Sequence, residues 1–480
     1  MNTGEWISRA VGTLLPGRIK SAAIAPQAEA KTPKHRRMHE RLEATLRKDG
    51  EALSPRRLRQ LKTEFQAVLD PRVSEVEGGH RARAVMSWYG QASLAERKDV
   101  WLLLSETFAP DMASIKNAQA AWEAALGSAE QAEAEVRMQK ASASPRGRII
   151  QRIAVEADGM RFLVDMRAEL LAHIRSDKRL LPLEAELEHT FSSWFDVAFL
   201  ELRRISWDSP ASLIEKLIQY EAVHDIRSWA DVKNRLDSDR RCYGFFHTKL
   251  PNEPLIFVEV ALLDHVAEGI TPLLDESAAP EDLSKATTAI FYSISNTQTG
   301  LKGVSFGDSL IKTVVESLKQ EFPRLKTFAT LSPIPGFRAW LPKQLAALID
   351  LLDEKLKLQL GHEIGFTPPT AEHILGRINN PLELSEKSAL REFLQRAVAC
   401  YLTHMVEGQP IDPVARFHLG NGARVERINW AGDPSAKGLK QSYGLMVNYL
   451  YDLKQLDRHR EQMAQGRVPA SRAVQALVIR

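Results

Sequence analysis

Cysteine is nearly absent from this 480-residue chain, with only Cys242 and Cys400 standing far apart. Two distant cysteines exclude a disulfide framework and a cysteine-ligated metal, and they suit a reducing compartment. Long apolar runs are missing as well. The best candidate, Leu255 to Leu263, is interrupted by Glu259, so nothing approaches the roughly 18 residues of a membrane span. Charge of one sign is not in excess either: 64 Lys and Arg against 61 Asp and Glu leave a net +3, which gives no reason to expect nucleic acid as a partner. The chain does not end in the peroxisomal Ser-Lys-Leu signal, and Ser332 lacks a hydrolase Gly-x-Ser-x-Gly elbow. What is present is 44% hydrophobic and 26% charged residues, the make-up of a soluble globular protein. The length calls for two domains, or for one with a large elaboration.

Residues 1–37 carry seven Lys or Arg against two acids, among many Ala, Ser, Pro and Gly. An import peptide or a disordered basic arm fits this composition, and Glu5 and Pro16 favour the arm because they weaken a long targeting helix. With no credible signal, the expected location is the cytoplasm. From 38 to 182 the pattern is helical throughout. Ser93 and Glu96 form a capping box ahead of the apolar Val100, Leu103, Leu104 and Phe108, while Gly, Pro and Asp clusters separate the segments. His35, His39, His80 and His173 are scattered, and the acids alternate with bases as on solvated helix faces. This part is read as an all-α bundle, serving equally well as an oligomerisation module or a structural cap. A further helix is expected from about Leu183 to Arg204, with Leu187, Phe191, Trp194, Phe195, Ala198 and Phe199 on one face joining it to the remainder.

After Arg241 the texture changes. Residues 242–247, 255–262 and 288–295 are β-branched and aromatic runs bounded by Pro, Asn and Gly, and read as strands. A helix follows the third, marked by Leu310, Ile311, Val314, Val315 and Leu318 at the 3.6-residue period. Between that strand and that helix lies Lys302-Gly303-Val304-Ser305-Phe306-Gly307-Asp308. Gly303 and Gly307 permit positive φ and close backbone approach, so successive N–H groups can converge on a phosphate at the helix N-terminus. A tight strand-to-helix turn would look the same, and Asp308 suits a phosphate only if it turns back to cap the helix.

The register Lys-Gly-x-Ser-x-Gly-x-x-Leu resembles the acyl-CoA pyrophosphate loop of the GNAT acetyltransferase superfamily, with Ser305 where the middle glycine usually stands. Taken together with Leu331 to Phe337, Ala415-Arg-Phe-His-Leu419, Arg427-Ile-Asn-Trp430 and Gly444 to Tyr451, it resembles the malonyl-CoA decarboxylase family. The likeness covers nearly all of residues 38–455 in order. It implies an all-α helical domain over 38–182, followed over 183–480 by an α+β GNAT-like catalytic domain that binds acyl-CoA.

The resemblance further implies a carboxy-lyase of fatty acid metabolism that converts malonyl-CoA to acetyl-CoA and CO2 through a thioester enolate. No metal, biotin or other cofactor is implied, because the thioester carbonyl is itself the electron sink and coenzyme A belongs to the substrate. Ser332 and His418 match the family's catalytic pair, residues 302–308 match its acyl-CoA segment, and Tyr451 matches a tyrosine of the same site. The family has a glutamate where this chain has Ser305. Proton delivery falls to His418, and contact with the malonyl carboxylate or the enolate falls to Ser332, oriented by Tyr451. Each also has a plain structural alternative: Ser332 a helix N-cap before Pro333, His418 a core histidine, Tyr451 aromatic packing. Lys312, Arg338, Lys437 and Lys440 are candidates for the CoA 3′-phosphate. A homo-oligomer, tetramer or dimer, is expected. The competing functions are a GNAT-type N-acyltransferase, which needs an amine acceptor, and an acyl-CoA sensor, which leaves its ligand intact.

Overall fold

A computed structural model of the chain describes residues 36–304, 306, 310–378 and 381–479. The basic arm expected over 1–37 therefore falls almost wholly outside the described residues, as do Ser305, Gly307 and Asp308 of the glycine-bearing loop.

The first part is helical: α1 Met38–Glu43, α2 Pro55–Leu69, α3 Glu75–Gln91, α4 Leu94–Leu102, α5 Met112–Ala125, α6 Gln131–Ser142, α7 Pro145–Val155, α8 Gly159–Leu171 and α9 Leu181–Trp194. Four of them, α2 to α5, start at a Ser or Asp whose side chain accepts a backbone N–H of the first turn. Ser93 and Glu96 do form the capping box of α4, and Ser54 caps α2 with Pro55 in its first turn. Helix α9 ends at Trp194, not near Arg204. The Asp196 side chain accepts the N–H of Ala198 and winds Val197–Phe199 into a 3₁₀ turn, after which Leu200–Ile205 is strand β1. A local carboxylate-to-backbone bond thus stops a helix that the apolar spacing alone would continue. Phe199, placed by that spacing on the buried face, is 63% exposed.

The second part is built on a mixed sheet. After α10 Ala211–Tyr220 and α11 Trp229–Arg235 come β2 Arg240–His247, β3 Leu250–Leu263 and β4 Thr288–Asn296, then α12 Leu310–Glu321, β5 Thr327–Thr330 and β6 Ser332–Pro333. A helical insertion follows, with α13 Phe337–Asp350, α14 Glu354–Ile364, α15 Ala371–Arg377 and α16 Ala389–Thr403, and then the small pair β7 Met405–Val406 and β8 Gln409–Pro410. The chain returns through α17 Pro413–Gly420, β9 Arg424–Asn429, α18 Ala436–Ser442 and β10 Met446–Leu450, and closes with α19 Leu456–Ala464 and α20 Arg472–Leu477. The strand order is β1-β2-β3-β4-β5-β10-β6, with β9 also on β10. This helical part followed by an α+β part is the architecture expected from the sequence.

One pairing sets the site. β4 and β5 are parallel, so a crossover must join them, and α12 supplies it with Leu310, Ile311, Val314, Val315 and Leu318 all buried. Their register covers only Thr288–Phe291 against Thr327–Thr330, while β4 runs on to Asn296. The two strands part at their carboxyl ends, where ligands of such sheets lie. A continuous apolar core, including Leu163 and Leu187 from the helical part and Leu301, Val314 and Phe328 from the sheet part, joins the two. Among the described residues no helix is long and apolar enough to cross a membrane.

Candidate active site

Ser332 lies in β6 opposite Val447 of β10, not at a helix start, so its side chain direction is fixed by strand pairing. His418 sits in the last turn of α17. That helix is held at its start by Pro413 and by Asp412, whose carboxylate accepts the N–H groups of Val414 and Ala415 at 2.9 and 2.8 Å. Tyr451 directly follows β10, its backbone N–H bonded to the carbonyl of Phe328 in β5. Three residues remote in sequence therefore converge.

They form one hydrogen-bonded line. The Ser332 hydroxyl is 3.2 Å from His418 Nε2, and the Tyr451 hydroxyl is 2.7 Å from His418 Nδ1. Ser332 also donates to Thr330 Oγ1 at 2.8 Å, and Thr330 Oγ1 accepts the backbone N–H of Tyr449 at 3.1 Å. The imidazole stacks on the Tyr449 ring with centroids 4.7 Å apart. Ser332 and His418 are 5% and 3% exposed.

Burial decides the protonation states. It pulls the His418 imidazole down to about 3 and raises the Tyr451 phenol above its usual value, since a charge on either would be poorly solvated. At neutral pH the ring carries one proton. Tyr451, firmly protonated, donates to Nδ1, which assigns the remaining ring proton to Nε2 and aims it at Ser332 Oγ. The chain Tyr451 to His418 to Ser332 to Thr330 is thus a directed series of donors. A buried neutral imidazole with hydroxyls on both nitrogens is a satisfied core histidine as well as a proton carrier, so the two readings of His418 are compatible.

The loop begins at the carboxyl end of β4. A 3₁₀ turn over Thr299–Leu301 leads into exposed Lys302 and Gly303, the latter at φ +83°, where a side chain would be strained. Val304 is buried and the Phe306 carbonyl accepts the N–H of Val197 at 2.9 Å. A residue missed from the sequence fixes this segment. Arg167 of α8, 1% exposed, donates through Nη1 to the carbonyls of Gly300 and Lys302 at 2.6 and 3.0 Å, while Nη2 is paired with Glu184 at 2.7 Å. With these carbonyls held on the Arg167 side, the helical part shapes the start of the loop. Gly300 is required there, because a Cβ would overlap the Val164 backbone of α8.

Of the candidates for the 3′-phosphate, Arg338 is engaged with the Leu439 carbonyl and the Tyr443 ring, and Lys437 with the carbonyls of Ala222 and Val223 and with Asp225. Lys440 is exposed. Lys312, in the first turn of α12, lines a cavity of about 240 Å³ whose wall includes Tyr451. Thr330 could have been found from the sequence, because strand alternation puts it on the same face as Ser332. Arg167 could not, since nothing near it in sequence distinguishes it from other helix-face arginines.

Comparison with known proteins bears on the family and the fold. The family model described as malonyl-CoA decarboxylase C-terminal domain matches residues 198–480, and that of the malonyl-CoA decarboxylase N-terminal domain matches residues 108–195. A curated relative from Anser anser anser, named malonyl-CoA decarboxylase, mitochondrial, is 39% identical over 334 residues, which make up 65% of this chain and 65% of that protein. A crystal structure of malonyl-CoA decarboxylase from Rhodopseudomonas palustris superposes with a TM-score of 0.74 at 40% identity, over 87% of this chain and 99% of the other. One from Agrobacterium vitis gives a TM-score of 0.75 at 38% identity, over 87% and 99%.

Proposed function

The chain belongs to the malonyl-CoA decarboxylase family, and on that premise we propose that it converts malonyl-CoA to acetyl-CoA and CO2 by the line of groups ending at Ser332 and His418. The observation that carries the reading is a neutral, buried imidazole between two hydroxyls, beside the carboxyl end of β5.

The bond between the malonyl carboxylate carbon and C2 breaks, and its electron pair moves into the thioester as an enolate. CO2 leaves, and C2 then takes one proton. The thioester supplies the electron sink, so the reaction calls for no cofactor beyond the coenzyme A of the substrate. The remaining work is to hold an oxyanion and deliver the proton. A preorganised donor to such an oxygen is worth roughly 3 kcal/mol, and we assign that part to the Ser332 hydroxyl, whose proton turns from Thr330 Oγ1 to the oxyanion when substrate binds.

His418 has a low pKa only while the site holds no anion. A malonyl carboxylate near Nε2 supplies the missing counter-charge and favours the imidazolium, as does the C-terminal end of α17. Once CO2 departs, the negative charge resides on the enolate, and transfer to C2 of the proton that the imidazole took up from solvent discharges both partners at once. Burial favours that neutral pair over the ion pair and so drives the proton to carbon. Tyr451 keeps the ring orientation through Nδ1.

The experiment is an incubation of purified protein with malonyl-CoA alone. CO2 and acetyl-CoA in equal amounts are expected. Acetyl transfer that needs an added amine would replace the reading with acyltransferase, and binding without turnover would replace it with a sensor. His418→Ala should lower kcat by about 10²- to 10⁴-fold while acetyl-CoA still binds, as removal of a general acid requires. Unchanged turnover would remove His418 from the mechanism.

A further inference from the structure

The residues assigned so far account for the reacting end of a CoA thioester and for its diphosphate, but not for the pantetheine arm between them. The cavity of about 240 Å³ has Lys312 and Val315 of α12 on one side, Leu456 and Arg460 of α19 on another, and Tyr451 and Asn421 between them. It therefore reaches from the first turn of the helix after the glycine-bearing loop to the tyrosine that holds His418. Its size is small for a whole cofactor and suits a segment of extended chain.

Asn421 is 8% exposed and its Oδ1 is buried with no hydrogen-bond partner. Its amide orientation is settled by its other end, because Nδ2 donates to the Phe417 carbonyl at 2.8 Å and a flipped amide would set oxygen against oxygen. An enclosed acceptor without a donor is costly, and in native proteins such a group usually has a partner that the folded chain alone does not provide. Asn421 directly follows α17, the helix carrying His418, so its position is fixed relative to the relay. The surrounding chain is fixed as well: Gly422, at φ +84°, lies so close to Leu456 that a Cβ would be 2.8 Å from the Leu456 carbonyl.

Resting on the reading of the site as one for a malonyl thioester of coenzyme A, we propose that this cavity takes the pantetheine arm and that Asn421 Oδ1 accepts one of its amide N–H groups. Lys312, paired with Glu316 at 3.9 Å with both side chains mostly exposed, lies on the cavity wall and would meet the phosphate end. Asn421 is then a positioning residue: it sets how far the thioester reaches toward Ser332 and His418, and it distinguishes CoA esters from thioesters lacking an amide.

The test compares malonyl-CoA with an amide-free malonyl thioester, S-methyl thiomalonate, in the wild type, Asn421→Leu and Asn421→Asp. One buried neutral hydrogen bond corresponds to about a tenfold effect, so Asn421→Leu should reduce the wild-type preference for malonyl-CoA in kcat/KM about tenfold, chiefly through KM. Asn421→Asp keeps the acceptor and, with its buried carboxyl protonated, a donor to the Phe417 carbonyl, and should retain the preference. A preference unchanged in Asn421→Leu, or lost equally in both variants, would overturn the proposal. If Asn421→Leu does not fold, loss of the preference in Asn421→Asp overturns it and retention supports it. Calorimetric titration with acetyl-CoA gives an independent reading, in which Asn421→Leu should bind about tenfold more weakly. If the wild type binds acetyl-CoA but releases no CO2 from malonyl-CoA, decarboxylation fails while that titration still decides the role of Asn421. Failure of the wild type to bind acetyl-CoA would overturn both.

Discussion

At the scale of single residues, the site depends on keeping one imidazole neutral and correctly turned. Tyr451→Phe removes the donor to Nδ1 while preserving the ring packing, so the ring proton is free to move to Nδ1 and Ser332 loses its partner. The expected outcome is a fall in kcat of about 10- to 100-fold, the scale of a lost orienting bond, with KM for malonyl-CoA little changed. An unaltered kcat in steady-state assays would show that the phenol only packs. His418 also ties stability to pH. In the unfolded chain it takes up a proton near 6.5, but in the folded one only near 3, so its contribution to stability is complete above about 6.5 and is lost as the pH falls toward 3. The urea midpoint of the wild type should therefore fall more steeply between pH 6.5 and 4 than that of His418→Gln. Parallel curves would contradict the buried neutral state.

At the scale of elements, polar groups under the sheet constrain how strands and helices meet. Arg235 at the end of α11 is fully buried and reaches Asp231 at 2.7 Å, Glu259 of β3 at 2.8 Å and the His224 carbonyl at 2.8 Å. Burial pushes the Glu259 carboxyl up to about 7 against the opposing pull of the guanidinium. Arg235→Met leaves two buried carboxylates without their cation and should cost about 3–5 kcal/mol in urea unfolding; a loss below 1 kcal/mol would mean the network relaxes by protonation instead. The strands themselves were legible, because β-branched and aromatic runs at 242–247, 255–262 and 288–295 fall within β2, β3 and β4. So was α12, whose apolar stripe is the face it buries. The end of α9 was not, since Ala198 and Phe199 continue the period and only the Asp196 side chain breaks it.

At the scale of the whole molecule, the Ser332, His418 and Tyr451 triad was legible only through long motifs, because strand pairing and a helix end bring together positions up to 119 residues apart, a span no local period encodes. The contribution of the helical part was not legible at all. Arg167, Arg161 and Val197 bind the loop region through Gly300, Lys302, Gln298 and Phe306, all by contacts distant in sequence. Arg167→Met removes the donors to two loop carbonyls and should raise KM for malonyl-CoA about tenfold with kcat largely kept, while Arg167→Lys recovers part of the loss. Equal KM values in wild type and Arg167→Met would separate the helical part from substrate binding.

The buried guanidinium also constrains how the gene can vary. Arg167 and Gly300 are 133 residues apart, yet the guanidinium holds the Gly300 carbonyl, the Val164 backbone one turn earlier leaves no room for a side chain at 300, and Glu184 pairs with the guanidinium. Loss of the arginine orphans two loop carbonyls and a carboxylate, and a side chain at 300 overlaps the helix, so the junction needs all three. Chimaeras that join the helical half of one relative to the sheet half of another should therefore work when this trio is matched and fail when it is not, whatever their overall identity.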